Sequence, residues 1–470
     1  MEHSIQKEVK QLKPFGLRDQ LGYMIGNIGN DLTFGFAGSF FMVFYSNVMG
    51  VSPALIGTLF GVARMVDAFT DISMGAIADN SKTTKNGKFK PWLKRMAIPV
   101  GLASILMYNV FIIDWPLTAK IAYMFIAYIL WGSFAYTAIN IPYGSLASVI
   151  TANPAGRAKL STFRSIGSMI VGVITGFVVP NIIYTQDGQV INSNFFWLSV
   201  VLGVLASLSY LACYFLVKER VELPNTTEKF SFKEFFSELG ILFKNRGFLG
   251  LMLATMFHLL GLMAFSQLMQ YLFIDYFQDT TLLPYAGLAM SFGGLAAAPF
   301  VGTFTKKFGK KEAGAISLLA GGGVHILAFF LKIEQPIYYV IIVLISNLLM
   351  GYFTMAMYAY VTDVIDDYQI TEGERKDGTI YSVYSFIRKI GQALAGFIAG
   401  ASLTMIGFQE AQGGQQVVQT AEVSNNIYNL ATLIPGIALL TAGLILLFLY
   451  PLSKDRVEKN EALLNTGDAE

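Results

Sequence analysis

Apolar residues run through this chain in stretches of about twenty, the length at which an α-helix crosses a bilayer. Read this way, the chain holds about twelve candidate spans. They are Leu21–Val48, Ala54–Ala78, Met96–Ile113, Ile121–Ile150, Leu160–Ile183, Phe195–Val217, Phe248–Phe277, Leu282–Phe304, Ala313–Leu331, Ile337–Val364, Thr379–Ile406 and Ile427–Leu449. The polar connections alternate in charge. Lys7, Lys10, Lys13 and Arg18 precede the first span, and Lys82, Lys85, Lys88, Lys90, Lys94 and Arg95 follow the second. Basic residues also follow the fourth (Arg157, Lys159), the eighth (Lys306, Lys307, Lys310, Lys311) and the tenth (Arg375, Lys376). Connections after odd-numbered spans carry almost none, Lys120 and Lys332 excepted. The positive-inside rule then places both termini in the cytoplasm.

The longest polar connection, Lys218 to Asn245, divides the spans six and six. Within it, Ser231-Phe232-Lys233-Glu234 is a capping-box pattern, followed by Phe235, Phe236, Leu239 and Phe243 at helical spacing. An amphipathic helix on the cytoplasmic surface is expected there, either gripping the halves or simply linking them. The predicted organisation is an N-terminal bundle (1–217), a linker (218–245), a C-terminal bundle (246–451) and a cytoplasmic tail (452–470). The polar stretch Met1 to Arg18 does not read as a signal peptide.

Composition narrows the class. The 470 residues are 54% hydrophobic and 14% charged, whereas a soluble domain is about 25% charged. A net charge of +2 gives no reason to expect a nucleic-acid partner. The single cysteine, Cys213, lies in an apolar stretch and reads as a packing residue. Gly321, Gly322 and Gly323 sit inside a span with no Gly-Lys-Ser/Thr after them, so they are no phosphate loop. With no metal-ligand cluster and no nucleophile–base set, neither an enzyme nor a cofactor is expected.

The most informative residues are Asp67 and Asp71, four apart in the second span. Residues at i and i+4 share a helix face about 5–6 Å apart. A lone charge at mid-membrane costs about 2.5–3.5 kcal/mol on insertion scales, and two like charges cost more unless a cation joins them. A proton, an alkali ion or a basic side chain would serve, which makes the pair a candidate coupling-ion site. Arg64, one turn earlier, is the alternative neutraliser.

The two halves echo one another. Gly75-Ala76-Ile77-Ala78-Asp79 with Gly87-Lys88 follows the second span, and Gly302-Thr303-Phe304-Thr305-Lys306 with Gly309-Lys310-Lys311 the eighth. Parallel six-helix halves are the construction of the major facilitator superfamily, and the first copy resembles that superfamily's loop motif. The expected fold is therefore all-α, with two pseudo-symmetric six-helix bundles. Asp79 is a gating candidate, as is Asp363 at the end of the tenth span.

More narrowly, the chain resembles the glycoside–pentoside–hexuronide:cation symporters, of melibiose-carrier type, nearly end to end. The resemblance rests on Gly26-Asn27-Ile28-Gly29-Asn30-Asp31, on Val62 through Asp71, and on Gly87-Lys88-Phe89-Lys90-Pro91-Trp92. Asn140-Ile141-Pro142-Tyr143 and Asp363-Val364-Ile365-Asp366-Asp367-Tyr368 extend it, leading into Tyr381-Ser382-Val383 and Lys389. It implies a cation held by Asp67 and Asp71 with support from Thr137, and a sugar held by Asp31, Arg164 and Tyr136. Lys389 would join both sites, with Arg64 as a coupling residue and Tyr384 a further candidate sugar contact.

Three departures matter. Thr70 stands where melibiose-type carriers have an asparagine, which favours a proton over sodium, although a hydroxyl still coordinates sodium. Asn140 replaces an acidic residue and Gly144 a tryptophan, so the sugar pocket differs from a galactoside site. Arg388, beside Lys389, is read as a helix-end anchor, with a hexuronide contact as the alternative. His258 and His325 read as core residues. The expected function is cation-coupled import of a glycoside, pentoside or small oligosaccharide across the plasma membrane, by a chain working as a monomer. A sodium-coupled lipid carrier and a non-transporting sugar sensor are the alternatives.

Overall fold

Each of the twelve predicted apolar stretches falls on helix in the computed structural model, which describes residues 14–221, 240, 242–373, 375 and 377–466. The surface helix expected around Ser231 lies almost entirely outside the described residues. Helix α1 covers Leu17–Asn47, α2 Pro53–Asp79 and α3 Lys90–Leu106. They are followed by α4 (Leu117–Ile150), α5 (Ala155–Ile183), α6 (Asn192–Leu216) and α7 (Arg246–Tyr276). Helix α8 is a pair, Leu283–Ala296 and Ala298–Phe308, bent by 45°. Then come α9 (Lys310–Leu331), α10 (Pro336–Glu372), α11 (Asp377–Met405), α12 (Ala421–Phe448) and a final α13 (Lys454–Thr466).

Among the described residues, eight of these are long and apolar enough to cross a membrane, or nine if the bent pair is one span. The other long helices of the bundles are α1, α2 and α11, of 31, 27 and 29 residues. Their length suffices; what lowers their apolarity includes Asp31, the Asp67/Asp71 pair and the Arg388-Lys389 pair. Several helix starts follow from local chemistry. Ser52, Asn153, Asn245 and Thr420 each accept a backbone N–H from the first turn. Proline at the first position sets the backbone of α2.

Several helices extend beyond the hydropathy reading, and in three places a polar segment is satisfied by partners elsewhere. Helix α3 begins before Met96 because Glu219 accepts the N–H groups of Lys88, Phe89 and Lys90 at 2.7, 2.9 and 2.8 Å. Gly87, at φ +105°, is required there, since a Cβ would lie 2.3 Å from that carboxyl. Helix α10 runs past Val364 because Asp363 pairs with Lys310 (2.6 Å) and Asp366 with Arg375 (2.8 Å). Asp367 accepts from Arg456 and Asn460, both at 2.9 Å, and so docks helix α13, which lies within the expected tail.

Helices α1 and α6 meet where a Cβ on Gly26 would lie 2.7 Å from the Tyr143 ring and 2.8 Å from Cys213 Sγ. Cys213 is buried in that contact. The two halves join where the α1–α2, α5–α6, α7–α8 and α11–α12 connections lie. There Ser46 meets Tyr271 (2.8 Å), Tyr184 donates to Gln270 (3.1 Å) and Thr280 donates to the Thr185 carbonyl (2.5 Å). Gly176 of α5 and Gly287 of α8 are in backbone contact beside them. The basic connections lie at the opposite end.

Candidate functional site

Helix α2 presents Asp67 and Asp71 one turn apart, and α4 answers with a matching pair of hydroxyls. Ser133 donates to Asp67 Oδ1 at 2.5 Å and Thr137 to Asp71 Oδ1 at 2.9 Å. A widened π turn over Leu130–Tyr136 precedes Thr137, whose hydroxyl also reaches back five residues to the Gly132 carbonyl (3.2 Å). Such turns recur at functional sites. Arg64 donates to Asp67 Oδ2 at 2.6 Å. Thr70 points its hydroxyl at the Val66 and Asp67 carbonyls of its own helix, at 3.2 and 3.4 Å.

The second carboxylate is answered from the other half of the molecule: Lys389 of α11 forms an ion pair with Asp71 Oδ2. Asp67 is 4% exposed, so it depends on Arg64 and Ser133 for charge and hydrogen bonding. Removing one member of a buried pair leaves an uncompensated charge, at a cost of about 3–5 kcal/mol. Asp71 and Lys389 are less enclosed, with side chains 20% and 28% exposed. Asp71 is thus the more accessible of the two carboxylates.

A second cluster forms where α1 meets α5. Asp31 Oδ2 accepts from Asn27 (2.8 Å) and Ser168 (2.6 Å), and Oδ1 from Asn30 (3.2 Å). Arg164 does not reach Asp31 directly. Its Nε donates to Asn27 Oδ1 at 3.1 Å, so Asn27 relays between the two charges. Asn30 also donates to the Tyr136 hydroxyl at 2.9 Å, and the Tyr136 ring stacks on Phe34 at 5.7 Å between centroids. Asn140 lies one turn beyond Tyr136, half-buried.

Between the clusters and the closed end lies a cleft of about 420 Å³, counting space open to solvent. Phe34, Arg64, Trp131, Met263, Gln267 and Gln392 line it. Trp131 Nε1 and Gln267 Oε1 are buried without hydrogen-bond partners, a donor and an acceptor of the kind a hydroxyl satisfies. Sequence reading missed Ser133, Ser168, Trp131 and Gln267, because lone polar residues in an apolar run give no pattern. Asn27 and Asn30 lay within a quoted block but drew no role.

In the C-terminal half, Tyr384 is 1% exposed, its ring 6.1 Å from that of Tyr381 and 6.4 Å from that of Tyr358. Arg388 is not the helix-end anchor expected. It lies twelve residues into α11, its guanidinium 5.7 Å over the Tyr384 ring and its Nε buried without a partner. His258 bonds Thr354 at 3.2 Å and His325 packs on Phe265, both fully enclosed. Asp79 is exposed at the end of α2. Asp363 pairs inside its own half, so the structure does not bring these two gating candidates together. Glu374 and Lys376 lie outside the described residues.

Residues 22–454 match the family described as MFS/sugar transport protein. The uncharacterized symporter YjmB of Bacillus subtilis (strain 168) is 30% identical over 456 residues, covering 95% of this chain and 94% of that protein. The glucuronide carrier protein homolog of Escherichia coli (strain K12) is 29% identical over 444 residues, covering 94% of each. Among solved structures, a bacterial homolog to the human lysosomal transporter Spinster, inward-facing and unoccupied, is similar in fold. It aligns with a TM-score of 0.65 at 13% identity, covering 97% of this chain and 98% of that one. The chain belongs to the MFS/sugar transport protein family, as a glycoside–pentoside–hexuronide:cation symporter, a multi-pass membrane transporter that moves sugar with a cation.

Proposed function

We propose that this protein imports a glycoside or small oligosaccharide with a proton, by alternating access, as a monomer in the plasma membrane. The observation that carries the reading is the shared Asp71, which meets Thr137 of one half and Lys389 of the other. With the ion site empty, Lys389 neutralises Asp71. An arriving cation takes its place on the Asp67/Asp71 pair, frees the lysine, and so alters the contact between halves. Sugar held by Asp31, Arg164 and Tyr136 completes the load, and the two ligands share free energy through that contact.

A proton is favoured over sodium because Thr70 stands where melibiose-type carriers have an asparagine, and its hydroxyl points at the carbonyls of its own helix rather than at the pair. Both termini are cytoplasmic in this reading, on the basic-loop distribution. The sealed end then faces outward and the structure is inward-facing. Reconstituted vesicles given proton and sodium gradients separately test it. Uphill accumulation of a labelled glycoside is expected under the proton gradient. Accumulation under sodium alone would replace the ion, and sugar binding without accumulation under either would refute symport.

A further inference from the structure

The charges around the central cavity do not balance. Arg64 pairs with Asp67 and Lys389 with Asp71. Arg164 is tied to Asp31 through Asn27. Arg388 is left over. No carboxylate among the described residues forms an ion pair with it, its Nε is buried without a hydrogen-bond partner, and its other support is the face of Tyr384 at 5.7 Å. A cation–π contact offsets part of the lost hydration of a guanidinium and supplies no acceptor.

The neighbours of Arg388 place it on the sugar path. Gln392, one turn further along α11, shares the helix face of Arg388 and lines the cleft. Tyr381 and Tyr358 stack at 6.4 Å beside Tyr384 and are 46% and 57% exposed, so tyrosine surface stands open next to this guanidinium. His258 is enclosed by Thr354 and Phe353 and is no anionic partner. A guanidinium with an unused Nε edge presents parallel N–H groups that match a carboxylate two-to-two. Open tyrosine faces suit the apolar side of a sugar ring.

We infer that Arg388 is a specificity-determining residue that binds a carboxylate on the sugar, so that the preferred substrate is an acidic glycoside of hexuronide type. The inference rests on the transport reading only in taking this cavity as the sugar path. The carboxylate supplies the missing acceptor and neutralises the leftover charge.

The test compares two probes differing at one group: a phenyl β-D-glucuronide and the phenyl β-D-glucoside with CH2OH in place of the carboxylate. Binding is measured calorimetrically on the purified full-length protein, and exchange in vesicles without any gradient. Wild type is expected to bind the glucuronide about tenfold or more tightly than the glucoside, the usual worth of a hydrogen bond to a charged group. Arg388→Gln should remove that preference while leaving glucoside binding unchanged, and Arg388→Lys should restore part of it. Equal binding of the two sugars by wild type, binding of neither, or parallel loss of both in Arg388→Gln would overturn the inference. Loss of gradient-driven accumulation with the preference intact would instead count against the coupling reading alone.

Discussion

A single methyl group at Gly287 should shift which face of the transporter is open. In the present state a Cβ there would lie 2.1 Å from the Gly176 carbonyl oxygen and 2.5 Å from its Cα, where ordinary contact begins at 3.4 Å. The opposing atoms are backbone, so no side chain can swing away, and α5 and α8 must part by roughly 1 Å. Overpacking of this kind costs about 1–3 kcal/mol. It is charged only to the state in which this end is sealed, and a bias of that size changes a two-state ratio by about 5- to 150-fold. Gly287→Ala should therefore populate the alternative state. Ser266→Cys, placed in the same seal opposite Ser39 (3.3 Å), reports it through labelling by an impermeant thiol reagent. Cys213 is buried and stays silent. Labelling should accelerate by about 5- to 150-fold in Gly287→Ala, and in the same direction in Gly176→Ala. Gly294→Ala, on the same helix with nothing within 4 Å, is the control. Unchanged labelling in a folded Gly287→Ala protein, or equal acceleration in the control, would refute the reasoning.

Other expectations concern the ion and sugar clusters. Asp67→Asn removes the charge that Arg64 and Ser133 serve, and should abolish uphill accumulation while sparing sugar exchange; full concentrative uptake would sink the coupling role. Asn27→Ala breaks the relay between Asp31 and Arg164 and should weaken sugar binding about tenfold or more, by the worth of a charge-assisted hydrogen bond. Unaltered affinity would move the pocket elsewhere. Glu219→Gln keeps the shape but removes the charge that receives three consecutive N–H groups, and should cost about 1–3 kcal/mol. A thermal melt in detergent identical to wild type would show that this cap is not needed for stability.

The Asp67/Asp71 spacing was enough to foresee a charged site within a span, because i and i+4 must share a helix face whatever surrounds them. Length and apolarity likewise settled where the helices lie, since a bilayer-spanning helix has few alternatives. The alternation of basic connections gave a basis for orientation. Sequence did not disclose Ser133, which reaches Asp67 from within the π turn of α4. Neither did it reveal that Arg164 meets Asp31 through Asn27, or that Arg388 lies half-buried over the Tyr384 ring rather than anchoring a helix end. Helices α3, α10 and α13 carry the same lesson: their polar turns look like loops until Glu219, Lys310 and Arg456 arrive from elsewhere. Periodicity records which residues share one helix. Which helix faces another, and so which charge goes without a partner, is decided only when the bundles close.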